Sequence, residues 1–219
     1  MADLPDAGLA DLRRIGVLGG TFDPIHVGHL VAAAEALHRF RLDRVMFVPT
    51  GQPWQKRSYT DQEDRYLMTA LGTSSNPRFA ASRIELDRRG PTYTVDTMQA
   101  LRDFHGPGVE LFFILGADAA LNLGTWARVD GLADLTEIIA ATRSGFSLDG
   151  LRREPGWPRI HEMRIPNVEI SSSELRARVR RGAPIDFLVP APVVAYIREH
   201  GLYAGEPERR PGAEAAAGA

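Results

Sequence analysis

From Arg13 to Gly19 the chain reads RRIGVLG, two charged residues followed by an apolar run closed by glycine, and this pattern predicts a buried strand. The next apolar positions fall differently. In HLVAAAEALHRF, Leu30, Ala33, Ala34, Leu37 and Phe40 recur at helical spacing among strong helix formers. RVMFVPT, from Arg44, returns to a strand that Pro49 ends. Strand, helix and strand with brief connections make a βαβ unit, which predicts parallel pairing and a right-handed crossover. The alternation continues downstream. GQPWQKRSY (51–59) has turn residues without periodicity and reads as a loop, and Thr60 with Glu63 gives a capping-box pattern before RYLMTALG. RFAASRIEL predicts a strand, GPTYT a loop and VDTMQALRDFH a helix. ELFFILG is the most apolar strand and ends at Gly116, ahead of the short helical ADAALNL. EIIAATR and RIHEMRI predict two further strands. Ser171, Ser172 and Ser173 open a helix, SELRARVRRG, and PAPVVAYIREHG is a last helix with prolines confined to its first turn.

Strands alternating with helices imply an α/β fold, a doubly wound parallel sheet with helices on both faces, in a single domain. Ligands of such sheets bind beyond the carboxyl ends of the strands, where Gly19-Gly20 and Gly116 stand. The expected organisation is an N-terminal extension over 1–12, the domain over 13–203, and a tail over 204–219. That tail, AGEPERRPGAEAAAGA, is small, polar and rich in Pro and Gly, which predicts disorder. Composition adds limits. A chain of 219 residues suits one core, and its 44% hydrophobic and 25% charged residues are those of a soluble globular protein. A net charge of −2 gives no general attraction to nucleic acid or anionic membrane, so any polyanion site is local. The absence of cysteine excludes disulfides and thiolate zinc sites. The start, MADLPDAGLADLRR, lacks a secretory core, and no apolar run approaches the ~20 residues of a spanning helix. These features predict a cytoplasmic protein that binds neither nucleic acid nor membrane; whether it forms a homo-oligomer stays open.

The junction between the first strand and helix, GGTFDPIHVGHL, carries the candidate chemistry. It fits neither GxGxxG nor a Walker A loop. Its glycines still let backbone N–H groups approach a phosphate where a helix begins. His26 falls just before that helix and His29 in its first turn. Taken alone, the pair reads as one cap and one packed core residue rather than as chemistry, and as a metal pair it lacks a visible third ligand.

The wider string resembles the HxGH signature of the nucleotidyltransferases with a Rossmann-like fold. Four more segments, GQPWQK (51–56), GPTYTVDT (90–97), LGADAALNLGTW (115–126) and ISSSELR (170–176), with the ending LVPAPVVAYIREHGLY, resemble the bacterial nicotinate mononucleotide adenylyltransferases. The resemblance runs from about Arg14 to Tyr203. It implies transfer of an adenylyl group from ATP to nicotinate mononucleotide, giving deamido-NAD and pyrophosphate in NAD biosynthesis, with Mg²⁺ assisting. A phosphate nucleophile is already anionic at pH 7 and needs no base, and no nucleophile–base–orienter set such as a GxSxG elbow is visible. Catalysis then rests on positioning and on cations around the transferring group.

The resemblance implies those cations. His26 and His29 match the two HxGH histidines and would donate to ATP phosphates, His29 nearest the α-phosphate. Lys56 matches a basic position of the second loop, where a solvated lysine is the plain alternative. Arg176 closes the ISSxxxR motif, with Ser171 and Ser173 holding the outer phosphates; a serine-rich cap beside an exposed arginine is the plain alternative. Gly19, Gly20, Thr21, Phe22 and Gly116 would complete the ATP site. Asp118 would accept the ribose hydroxyls, or else simply favour a helix N-terminus. On the acceptor side Trp126 would stack on the pyridinium ring. Thr94 and the Ala127 N–H would bind the nicotinate carboxylate, with Tyr93 beside them. Two donors facing a carboxylate favour the acid over the amide. The chain departs from the family at Pro53-Trp54-Gln55-Lys56, where many members have Pro-Pro-His before the basic residue, and at Arg143-Ser144-Gly145, which resembles an Arg-Pro-Gly segment without its proline. Rival readings are an adenylyltransferase for nicotinamide mononucleotide or another phosphate monoester, and a nucleotide- or RNA-binding module without catalysis.

Overall fold

A computed structural model describes residues 12–51, 60–143, 145, 148–151 and 154–205. Strand β1 (Arg14–Gly20) leads into helix α1 (Val27–Arg39) and returns as β2 (Arg44–Pro49). Helix α2 (Gln62–Thr73), the short β3 (Phe79–Ala81), α3 (Thr94–His105) and β4 (Glu110–Gly116) follow. The rest comprises α4 (Ala117–Leu121), 3-10 turns at Leu123–Thr125 and Val129–Leu132, β5 (Glu137–Thr142), β6 (Ile160–Arg164), α5 (Ser172–Arg180) and α6 (Ala191–Glu199).

The strands form one sheet in the order β3-β2-β1-β4-β5-β6, with every neighbouring pair parallel. Such a sheet is buried on both faces, so its strands are apolar at successive rather than alternate positions. The side chains sort by parity. Val45, Phe47, Phe112 and Ile114 join one core, and Ile15, Val17, Met46 and Phe113 the other. Helices α1, α2, α5 and α6 cover the first face through Leu37, Met68, Leu175 and Val193, while α3 and α4 cover the second through Met98, Leu101, Ala117 and Ala120. Five residues are too few for an isolated helix, so it is the packing of Ala117 and Ala120 that holds α4. Strand order reverses between β1 and β4, whose following helices leave on opposite faces, and a crevice opens at their carboxyl ends.

The expected parallel sheet, doubly wound and with helices on both faces, is present. Two local expectations are corrected. RFAASRIEL pairs only over Phe79–Ala81. Val45 N–H donates to the Arg78 carbonyl and Ser82 N–H to the Phe47 carbonyl, both at 2.9 Å. The two-residue repeat of this ladder would next require an N–H at position 49, which is Pro49. The chain therefore leaves the sheet, and Glu85 turns inward. Helix α2 is capped by Asp61, which accepts from Glu63 N–H at 2.8 Å, because the Thr60 hydroxyl is engaged by Asp23 instead. Helix α1 begins at Val27, with His26 just before it as the N-cap and His29 in its first turn, as the sequence places them. Residues 1–11 of the expected extension, 52–59 of the second loop with Lys56, and 206–219 of the expected tail lie outside the described residues.

Candidate active site

A cavity of about 1090 Å³ lies at the carboxyl ends of β1 and β4. Every candidate within the described residues lines it. Gly19, Gly20, Thr21, Phe22, His26 and His29 form one side, with Ser171, Ser173 and Arg176 beside them. Gly116 and Asp118 lie at the end of β4, and Tyr93, Thr94, Trp126 and Ala127 complete the lining.

The histidines are held by the helix they begin. His26 has an extended backbone (φ −146°), and its ring stacks on that of His29 with centroids 3.7 Å apart. The His26 backbone N–H donates to His29 Nδ1 at 3.2 Å. A ring nitrogen that accepts carries no proton, so in neutral His29 the proton sits on Nε2, and the residue lines the cavity. Gly28 separates the two histidines because a Cβ there would lie 3.0 Å from His26 Nδ1. Phe22 adopts a left-handed backbone (φ 50°), uncommon for a residue with a side chain. Its buried ring meets His29 edge-on at 5.0 Å and leans on Phe47. Phe22, expected as an ATP contact, is thus mainly the floor beneath His29. Burial, with Arg143 nearby, pushes the His26 pKa down to about 4. His26 is therefore a neutral donor at pH 7 rather than one of the expected cations.

The loop between β1 and α1 is tied from several elements. Arg176, 9% exposed, donates to the Asp23 carbonyl at 2.6 Å and to Ser173 Oγ at 3.1 Å. Ser172 Oγ donates to the Pro24 carbonyl at 2.9 Å, whereas Ser171 caps α5 by accepting from Glu174 N–H. The Asp23 carboxylate, in a residue only 2% exposed, accepts from the hydroxyls of Thr60 and Tyr203, the latter at 2.6 Å. Burial first, and then Asp23, push the Tyr203 phenol above its ordinary range, so it stays a donor. Arg65, 1% exposed, donates to the carbonyls of Thr21 (3.0 Å) and Gly51 (3.2 Å), linking the first loop to the start of the second. Gly51 is pressed so closely on the next segment that a Cβ would come 2.4 Å from the Glu85 carbonyl oxygen.

Sequence reasoning missed Asp23, Arg65, Ser172 and Tyr203, and left Arg143 without a role. Arg143 lines the cavity near His26 and donates to the Val168 carbonyl at 3.4 Å. A signal for Arg65 was present: the buried stripe of α2 is Arg65, Met68, Thr69, Gly72 and Thr73, and position 65 places a charge on it.

The acceptor end is built from the start of α3 and the turn at Trp126. Trp126 is half-buried and stands edge-on to Phe113 at 5.8 Å. Thr94 opens α3, whose cap residue Tyr93 gives no side-chain cap bond. Buried Glu85 accepts from Thr97 Oγ1 at 2.8 Å and fixes the first turn of α3. Burial pushes the Glu85 carboxyl up, opposed by the bond from Thr97 and by the nearby charge of Arg88. Asp118 lies exposed in the first turn of α4, over the end of β4.

The profile of the cytidylyltransferase-like family matches residues 17–178. A probable nicotinate-nucleotide adenylyltransferase of Corynebacterium kroppenstedtii is 52% identical over 192 residues, covering 87% of this chain and 90% of the relative. One from Saccharopolyspora erythraea is 53% identical over 196 residues, covering 89% and 91%. Among solved structures, the nicotinic acid mononucleotide adenylyltransferase of Plasmodium falciparum complexed with NaAD superposes with a TM-score of 0.71 at 20% identity, covering 87% of this chain and 97% of that one. This likeness supports the fold.

Proposed function

Because the chain belongs to the cytidylyltransferase-like family and, within it, to the nicotinate-nucleotide adenylyltransferases, we propose how its own residues divide the work of adenylyl transfer. The enzyme joins ATP to nicotinate mononucleotide, giving nicotinic acid adenine dinucleotide and pyrophosphate, a step of NAD biosynthesis. A phosphate oxygen of the mononucleotide forms a bond to the α-phosphorus of ATP, the bond to the bridging oxygen breaks, and pyrophosphate leaves with its electron pair. Nothing must be deprotonated first, so the protein's task is to align the two phosphates and to meet charge as it spreads.

His29 Nε2–H is the donor assigned to the transferring phosphate, and His26, neutral and stacked on it, is a second donor to the ATP phosphates. The observation that carries this assignment is the 3.2 Å bond from the His26 backbone to His29 Nδ1, which fixes the tautomer. Arg176, Ser171, Ser173 and the Gly19–Thr21 backbone are assigned to the outer phosphates, with Lys56 joining them from the second loop. Arg143 adds a cation on the same wall. Asp118 accepts the ribose hydroxyls. Trp126 stacks on the pyridine ring, and Thr94 with the Ala127 N–H receives its carboxylate.

Among the described residues no group of three or more His, Cys, Asp or Glu side chains could hold a metal ion. Donors and cations around a triphosphate fit a Mg²⁺ that arrives on ATP with phosphate oxygens and water as ligands. Bound there, it would neutralise charge on the triphosphate. Among the described residues no helix is long and apolar enough to cross a membrane, and we assign the enzyme to the cytoplasm. Pyrophosphate release from ATP and Mg²⁺ with the acid or the amide mononucleotide tests the reading. Turnover with the acid is expected, with the amide slower, and equal rates would remove the carboxylate site from the assignment.

A further inference from the structure

We propose that the Arg128–Asp96 ion pair is a positioning element for acceptor specificity. It holds the turn that carries the Ala127 N–H against the helix start that carries Thr94, and so sets the preference for a pyridine bearing a carboxylate. The inference rests on the reading of Thr94 and Ala127 as the carboxylate's donors.

The two donors come from segments distant in sequence. Thr94 is the first residue of α3, while Ala127 lies in an exposed turn between the two 3-10 turns. Arg128, next to Ala127, has a left-handed backbone (φ 57°). Its guanidinium donates to Asp96 Oδ2 at 2.7 Å and lies 5.4 Å from the centroid of the Tyr93 ring. Those two partners flank Thr94. The first turn of α3 is itself fixed from the other side. Arg88 donates to the Asp96 carbonyl at 3.1 Å and to Thr97 Oγ1 at 3.2 Å, and Thr97 donates to Glu85. Arg128 therefore docks an exposed turn onto an anchored helix end.

The pair cancels its own charge, so it acts on the acceptor through geometry. A carboxylate takes a charge-assisted bond at each oxygen, whereas an amide offers one acceptor and a donor. If the Ala127 N–H drifts from Thr94, the acid loses one of two strong bonds and the amide loses less. Side-chain exposures of 57% for Arg128 and 37% for Asp96 make this a solvent-screened pair, so its effect is modest.

The test compares kcat/KM for nicotinate mononucleotide and nicotinamide mononucleotide on the full chain and on Arg128→Gln, Asp96→Asn, the double variant, Arg128→Lys and Thr94→Val. Each single charge removal is expected to lower the acid-to-amide ratio about two- to five-fold. The double variant should be no worse than either single, Arg128→Lys should retain the wild-type ratio, and KM for ATP should stay put. If Thr94→Val lowers the ratio while Arg128→Gln and Asp96→Asn leave it unchanged, or if those two depress acid and amide equally, the inference is overturned and the carboxylate reading stands. A wild-type ratio in Thr94→Val overturns the carboxylate reading and the inference with it.

Discussion

The two ends of the cavity are held by different means. At the phosphate end, Asp23, Arg65 and Arg176 are buried, and the loop they fix touches α2, α5 and Tyr203. At the acceptor end, the turn from Trp126 to Arg128 is largely exposed and is docked by a surface ion pair and an aromatic edge. Charge moves at the first end, where preorganised donors lower a barrier only if they need not rearrange. The second end has only to choose a ring and a carboxylate, and small shifts there alter selection without stopping the reaction.

Variants sharpen this contrast in descending order of effect. His29→Ala removes the tautomer-fixed donor and is expected to lower turnover by about 10²–10³-fold. Circular dichroism and Tm should stay near wild type. A near-normal rate would take His29 out of the chemistry. The pH dependence of stability reports on His26. Its pKa falls from 6.5 to about 4 on folding, so between those values the unfolded chain binds more protons and stability falls as pH falls. Full stability holds above pH 6.5, and roughly 3 kcal/mol is lost on acidification to about pH 4. Denaturant unfolding of His26→Asn should show a flatter profile over that window. Tyr203→Phe withdraws one donor from the buried Asp23 carboxylate and should cost about 1–3 kcal/mol of stability. It should reduce kcat more than it raises KM for the mononucleotide, and the reverse pattern would place Tyr203 outside the phosphate end. Trp126→Ala removes the stacking surface, worth about 0.5–2 kcal/mol. It should raise KM for nicotinate mononucleotide up to about tenfold with kcat little changed, as titration of initial rates would show. The Arg128 and Asp96 variants lie at the small end of the series.

Much of this was legible in the chain before any coordinates. Successive apolar positions in RRIGVLG and ELFFILG marked strands buried on both faces, and the helical spacing after His29 gave the crossover. The candidate residues, found through five segments in order, converge on one cavity wherever they are described. What escaped was what depends on a third partner. Thr60 looked like a cap because its sequence neighbours allow it, yet its hydroxyl is taken by Asp23, thirty-seven positions away. The strand after Arg78 looked long because its own residues alternate, but the limit lies in the neighbouring strand, at Pro49. The neutrality of His26 follows from burial, and no spacing rule expresses that. Arg65 could have been noticed, since a charge on a buried stripe requires partners, but nothing local says they are loop carbonyls.

The bond from Tyr203 to Asp23 spans 180 residues, and it has a consequence for the order of assembly. During synthesis the histidine motif emerges first, and the hydroxyl that completes its support is added about ten to forty seconds later at ordinary elongation rates. A growing chain thus displays the entire signature without a fixed catalytic loop. Full adenylyl-transfer competence arrives only once Tyr203 has been added.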